Sequence, residues 1–349
     1  MLLMSFTSMS ALRGLLLPLV LMLTACQPAP TQTRIQGQTM GTYYVVTVND
    51  PYPGGEAELK RELDALLARM NKEISTYDKS SLISRFNQGP ANQPMMIPAT
   101  MATIVQQGID TGHLSQGKLD VTVGPLVNLW GFGPDMRPLK KPSDAQIAKA
   151  RQRVGIDKLT LTPQGDHFLL SKAIPDLYLD LSTLGEGAAS DEIAVLLESK
   201  GVHNYLIEVA GAVRSKGNNS KGKPWRVAIV KPADQPGAFS DVVTPNGMAL
   251  STAGSYRNYY ELDGQRYSHI IDPATGAPVT HKLVSASVMA NTALEADALD
   301  TALMVMGPDQ AMAFAKEHQL AAYLIIKTEQ GFTAKFTPQF APYLVQEKP

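Results

Sequence analysis

Hydrophobic residues recur at helical spacing over residues 56–74, where Leu59, Leu63, Leu66, Leu67, Met70 and Ile74 form one stripe and predict an amphipathic helix. Residues 99–114 carry a second helical run. Residues 143–154 carry a third, opened by Ser143, whose hydroxyl suits an N-cap. Residues 187–200 read as a helix closed by Gly201, and residues 294–306 and 309–318 complete the helical set. Residues 34–48 read as a strand pair or one long bent strand, and 159–161, 167–170 and 177–181 as short strands. Further strands are expected over 203–209, 225–230, 248–252, 256–262, 266–271, 284–290 and 321–326. Strands and helices do not alternate strictly. That pattern predicts an α+β fold of mixed, largely antiparallel sheets with flanking helices rather than a doubly wound parallel sheet. No short-period repeat is visible, and the strand-rich middle and the C-terminal part leave room for two lobes around one cleft.

The first 25 residues follow a different pattern. Arg13 supplies a positive start, and residues 14–23 are apolar but too few for the roughly 20 a bilayer-spanning helix needs. Leu23-Thr24-Ala25-Cys26 follows at once and looks like a bacterial lipobox. The expectation is a lipoprotein signal peptide over 1–25, a lipidated Cys26 heading a Pro-rich tether over 26–33, and a folded domain over 34–349. The competing reading is an ordinary secretory signal with an incidental cysteine. Beyond this segment no apolar stretch is long enough to cross a membrane, so attachment would be through lipid alone. The chain is therefore expected in a bacterial cell envelope, facing the periplasm and anchored to the inner or outer membrane.

Composition narrows the classes further. Cys26 is the single cysteine, which excludes a disulfide framework and a thiolate metal site in the domain. The 31 Lys and Arg balance 32 Asp and Glu, with no long basic run and no interleaving of aromatic and basic residues. Nucleic acid is excluded as a partner on that ground.

Two segments carry the candidate chemistry. The first, SHIIDPATGAP over residues 268–278, ends an expected strand with a Pro and Gly turn and holds His269 and Asp272 at the strand's mouth. The second, EADALDTA over residues 295–302, is helix-like and places Asp297, Asp300 and Thr301 at i, i+3 and i+4 on one face. Carboxylates and a hydroxyl so grouped are hard oxygen donors of the kind magnesium prefers, and magnesium sites are commonly completed by substrate phosphates. The competing reading is a solvated helix face whose acids favour the macrodipole. Against it, Thr301 sits among Ala298, Leu299, Ala302 and Leu303, an apolar setting. His269 is the candidate for proton transfer near neutral pH, with a satisfied structural histidine as the alternative. Arg257, in SYRNYY, suits either a phosphate charge or a core acid.

These blocks, with GQTMGTYY (37–44), LDVTVGPLVNLWGFG (119–133), LDLSTLGEGAASD (179–191) and STAGSYRNYYELDG (251–264), resemble the ApbE family of flavin transferases, in family order and over nearly all the chain after the leader. The resemblance implies one catalytic unit that transfers the FMN moiety of FAD to a Thr or Ser hydroxyl of an acceptor redox flavoprotein and releases AMP. It implies Mg2+ held by Asp297, Thr301 and the Thr183 carbonyl, with Asp300 as a further contributor. It assigns FAD contacts to Met40, Tyr77, Lys118, Leu119, Asp120, Asp180 and Ile271. Glu186 stands where many relatives have Lys, so a cationic phosphate contact is not implied there and Glu186 is assigned to another part of the cofactor. The 179–191 block is expected to run from a strand through a loop into a helix, with Gly185 and Gly187 in the loop. FAD pyrophosphate hydrolysis and non-catalytic flavin binding by an envelope lipoprotein remain the alternatives.

Overall fold

Eight strands pair into one sheet in which every neighbour is antiparallel and spatial order follows chain order. They are β1 (Thr33–Thr39), β2 (Thr42–Val48), β3 (Tyr205–Val209), β4 (Ala212–Lys216), β5 (Ala249–Gly254), β6 (Leu283–Ala290), β7 (Ala321–Thr328) and β8 (Gly331–Phe336). The computed structural model describes residues 32–134, 138, 140–231, 239–256 and 258–345. Cys26 and Arg257 lie outside the described residues. The fold is the expected α+β class; the eight-stranded sheet draws strands from both halves of the chain, and one three-stranded and three two-stranded sheets accompany it among the described residues.

Eight helices are described: α1 (Gly55–Ile74), α2 (Leu82–Gln88), α3 (Ala99–Leu114), α4 (Gly124–Leu129), α5 (Asp144–Arg151), α6 (Ser182–Ser199), α7 (Ala293–Met306) and α8 (Pro308–Glu317). The α1 stripe read from sequence is wholly buried. Ser143 caps α5 in a capping box with Gln146, and Gly201 takes a left-handed φ of 80° just past α6, both as expected.

Alternation along the strands sorts the two faces of the sheet. Ile207 and Val209 enter the core formed with α1, α3 and α6, to which α7 contributes Leu294, Ala298 and Ala302. Val213, Leu250, Met289 and Tyr323 face the opposite side, covered by Ile229, Val243 and Phe340. Leu299 and Leu303 of α7 turn into a further core with α8 and β6. Almost the whole of α7 is buried, so its carboxylates lie inside the molecule.

Several expected elements differ. Residues 177–181 alternate like a strand, but no strand pairs with them. The helix expected from 187 begins at Ser182, so residues 182–187 form its first turns rather than a loop. The strand expected over 266–271 is broken at His269 and Ile270, between a Gln265–Ser268 strand and the two-residue Ile271–Asp272 strand. The 256–262 strand begins only at Tyr259. Helices α2 and α4 and strands β4 and β8 had no counterpart in the periodicity.

Candidate active site

The site centres on the crossing of α6 and α7. A Cβ added at Gly187 would lie 2.5 Å from the Ala293 carbonyl oxygen and 2.8 Å from the Asp297 Cβ, so only glycine permits this approach. Closeness has a chemical result: the Gly187 N–H donates to Asp297 Oδ2 at 2.8 Å. In a regular α-helix that N–H serves the carbonyl four residues back, here Thr183, so the Thr183 carbonyl at least shares its donor. One turn further on, Asp191 accepts from the Ala293 and Leu294 N–H groups at 3.0 and 2.9 Å, capping α7, and Arg214 stands 3.3 Å from the same carboxylate. The helices are clipped reciprocally, each offering N–H groups to a carboxylate of the other.

Asp297 Oδ1 also accepts from Ser251 of β5 at 3.2 Å. Asp300 is fully buried; its Oδ1 accepts from Thr301 Oγ1 at 3.3 Å, whereas its Oδ2 has no hydrogen-bond partner. Burial drives the Asp297 pKa well above the usual carboxylate range, and the charge of Glu186 adds to the effect. Burial likewise raises Asp300, reinforced by the charge of Asp297 and then of Glu186. Two buried acids and the half-buried Glu186 thus repel one another, and Glu186 also accepts from the Gly211 N–H at 3.5 Å. Among the described residues no three His, Cys, Asp or Glu side chains converge as a ready-made metal cage. The donors instead form an open set of two carboxylates, a hydroxyl and a shared carbonyl, hard oxygens that fit a divalent cation needing ligands from elsewhere. The orphaned Asp300 Oδ2 is the observation that such an ion satisfies.

Met40 sits at the β1–β2 turn with a φ of 52°, and its sulfur lies 3.3 Å from where a Cβ on Gly185 would be. That turn therefore covers the first turns of α6. Asp180 is just upstream, its Oδ1 accepting from the Ser182 N–H at 3.0 Å. Partial burial, and then the charge of Asp180, raise the pKa of Tyr77, a residue 64% exposed. The Tyr77 hydroxyl donates to the Phe132 carbonyl at 3.3 Å, and the Phe132 ring meets the His269 imidazole edge-on at 6.3 Å. Lys118 pairs with Asp272 at 3.7 Å, beside Ile271, whose side chain packs inward with Trp130 and Tyr260. The structure therefore gathers Thr183, Glu186, Asp297, Asp300, Thr301 and Met40 about the α6 start, and lines up Asp180, Tyr77 and His269 beside it.

Two candidates are turned toward the protein itself. Leu119 is buried in the main core, and the buried Asp120 carboxylate accepts from the Thr122 N–H and hydroxyl at 2.7 and 2.6 Å. His269 has a definite tautomer. A carbonyl only accepts, so Nδ1 carries the hydrogen given to Asn258 O at 2.9 Å and Nε2 keeps its lone pair. Burial lowers the His269 pKa below 6.5, which keeps the ring neutral at pH 7.

Sequence reasoning missed Ser251, Asp191 and Asn87 as supports of the site. Ser251 and Asp191 lay within the quoted blocks without a role. Asn87 lies in the last turn of the short α2, and nothing local in the sequence points to its bonds with Leu179.

Fold and site together define an α+β protein whose acidic centre is set on two crossed helices against one antiparallel sheet. The sequence profile of the ApbE family matches residues 40–324, and the chain belongs to that family. It is 47% identical over 325 residues to a FAD:protein FMN transferase of Klebsiella pneumoniae (strain 342), covering 93% of both chains. It is 46% identical over 326 residues to a FAD:protein FMN transferase of Escherichia coli (strain K12), covering 92% of this chain and 93% of that one. The solved flavin transferase ApbE from Vibrio cholerae matches with a TM-score of 0.82 at 42% identity, covering 90% of this chain and 99% of that chain.

Proposed function

We propose that this protein transfers the FMN moiety of FAD to a Thr or Ser hydroxyl of an acceptor redox flavoprotein and releases AMP. The observation that carries the reading is the buried Asp297–Asp300 pair with its unpartnered Oδ2, set beside Glu186 at the start of α6. Asp297, Asp300, Thr301 and the Thr183 carbonyl would hold Mg2+, which when bound neutralises charge on the pyrophosphate. Tyr77 offers an exposed ring for a planar flavin. Asp180, Met40 and Lys118 frame the rest of the dinucleotide.

In the reaction the acceptor hydroxyl oxygen bonds to the FMN-side phosphorus, the bond from that phosphorus to the bridging oxygen breaks, and AMP leaves with that oxygen. The hydroxyl proton passes to His269 Nε2, the lone pair left free by the Nδ1 bond to Asn258. Most of the acceleration comes from holding the reacting groups in line within a polar, preorganised site.

The test incubates the purified protein with FAD, Mg2+ and a candidate acceptor and weighs the acceptor. Addition of the FMN mass with one AMP released supports transfer. AMP and free FMN with an unmodified acceptor establish hydrolysis instead, and unchanged FAD establishes a carrier.

The reading extends to location: a periplasm-facing protein held to the envelope membrane by lipid on Cys26. The Leu23-Thr24-Ala25-Cys26 sequence supports it, and no helix among the described residues is long and apolar enough to cross a membrane. Radiolabelled palmitate should enter the protein and be lost in Cys26→Ser; label retained in that variant rejects the anchor.

A further inference from the structure

Residues 177–181 belong to no sheet, so their backbone hydrogen bonds need other partners. Leu177, Leu179 and Leu181 enter the main core, and the charge of the buried Asp180 is felt at Tyr77. The Leu179 N–H donates to Asn87 Oδ1 at 2.8 Å, and Asn87 Nδ2 donates to the Leu179 carbonyl at 2.8 Å. One side-chain amide thus takes the place of a neighbouring strand's peptide. Lys172, only 2% exposed, fastens the arrangement: its ammonium donates to the Asn87, Pro175 and Leu177 carbonyls at 2.7, 2.8 and 3.3 Å. On the other side the Asp180 N–H reaches the Val121 carbonyl at 2.7 Å. The direction of the Asp180 carboxylate is therefore set by the peptide next to it, and that peptide is held by Asn87.

We propose that Asn87 is a positioning residue for FAD binding, acting on Asp180 through the backbone of Leu179. The inference rests on the reading of Asp180 as an FAD contact. No isosteric acidic side chain can replace the amide, because Asp presents two acceptors and would set one against the Leu179 carbonyl.

The experiment is a double-mutant cycle on the full chain, reading FAD affinity without acceptor together with KM and kcat for FAD. Asn87→Asp should weaken FAD binding about tenfold with kcat at saturating FAD nearly unchanged, and Asn87→Gln should recover part of the loss. In an Asp180→Ala background the same Asn87→Asp change should alter affinity by less than about twofold. An undiminished tenfold effect in that background, or no effect of Asn87→Asp in the parent, overturns the proposal. Asp180→Ala leaving FAD affinity untouched would instead remove the reading of Asp180, a separate failure. Should Asn87→Asp not fold, Asn87→Ser takes its place in the cycle under the same criteria.

Discussion

The α6–α7 crossing and the wall beside it solve opposite problems. In the helix pair the backbone is largely satisfied by the helices themselves, and the buried carboxylates of Asp297 and Asp300 are left to crowd one another and the half-buried Glu186. In the wall the backbone has no regular partners, and side chains supply them: Asn87 and Lys172 for residues 177–179, Trp130 Nε1 for the Gly276 carbonyl at 2.8 Å, and His269 for Asn258. Charge is left unbalanced in one region and hydrogen bonding is completed in the other. The crossing is thus built to gain a ligand, and the wall to hold still while it does.

The sharpest way to break that contrast is to remove charge at the crossing. Asp297→Ala should lower FMN transfer by about 10³-fold, the scale of losing a central electrostatic group, while the protein stays folded. Fold retention follows from two opposing effects. The variant leaves the Gly187 N–H without its acceptor, at about 1–3 kcal/mol, but also relieves the repulsion from Glu186 and Asp300. Transfer at the parent rate would mean that the unbalanced carboxylates have no chemical use.

In the wall, His269→Ala should slow transfer by about 10²-fold and leave FAD affinity within a few-fold of the parent. Because burial lowers the His269 pKa from 6.5, the parent rate should fall on acidification only below pH 6.5, as Nε2 takes up a proton. The variant should lack that limb of the profile. A variant that fails to fold, or an acidic limb that persists without the imidazole, assigns His269 to holding the Asn258 turn alone.

The same contrast explains what the sequence made visible. Helix α1 and the buried face of α7 were legible because a helix bonds to itself, so its only external demand is an apolar stripe at period 3.6. Asp297, Asp300 and Thr301 were legible as a group for the same reason. Residues 177–181 alternate apolar and polar like a strand, but pairing lies outside the local pattern, and the partner is an Asn side chain some 90 residues away. The start of α6 was misplaced because Gly185 and Gly187 lower helix propensity. The Ala293 carbonyl against Gly187 shows why packing overrode it. Strand β8 is an edge with most of its residues exposed, so its period-2 signal is weak.

The smallest effect is also the one that speaks most directly to the crossing without its cation. An unfolded Asp ionises near 3.8, whereas burial, and then the charge of Asp297, raise the folded pKa of Asp300. Above 3.8 the unfolded chain therefore releases a proton that the folded chain still holds, and stability falls as pH rises, until the folded pKa is passed and the deficit is complete. Asp300→Asn has no such proton to lose. In EDTA its melting temperature should match the parent near pH 4 and exceed it at pH 8, and Mg2+ should raise the parent and leave the variant unmoved. A variant that melts below the parent at pH 8 in EDTA would show that the Asp300 carboxylate is held in place for the fold's sake, and the distinction between a charged crossing and a satisfied wall would fail at its most buried residue.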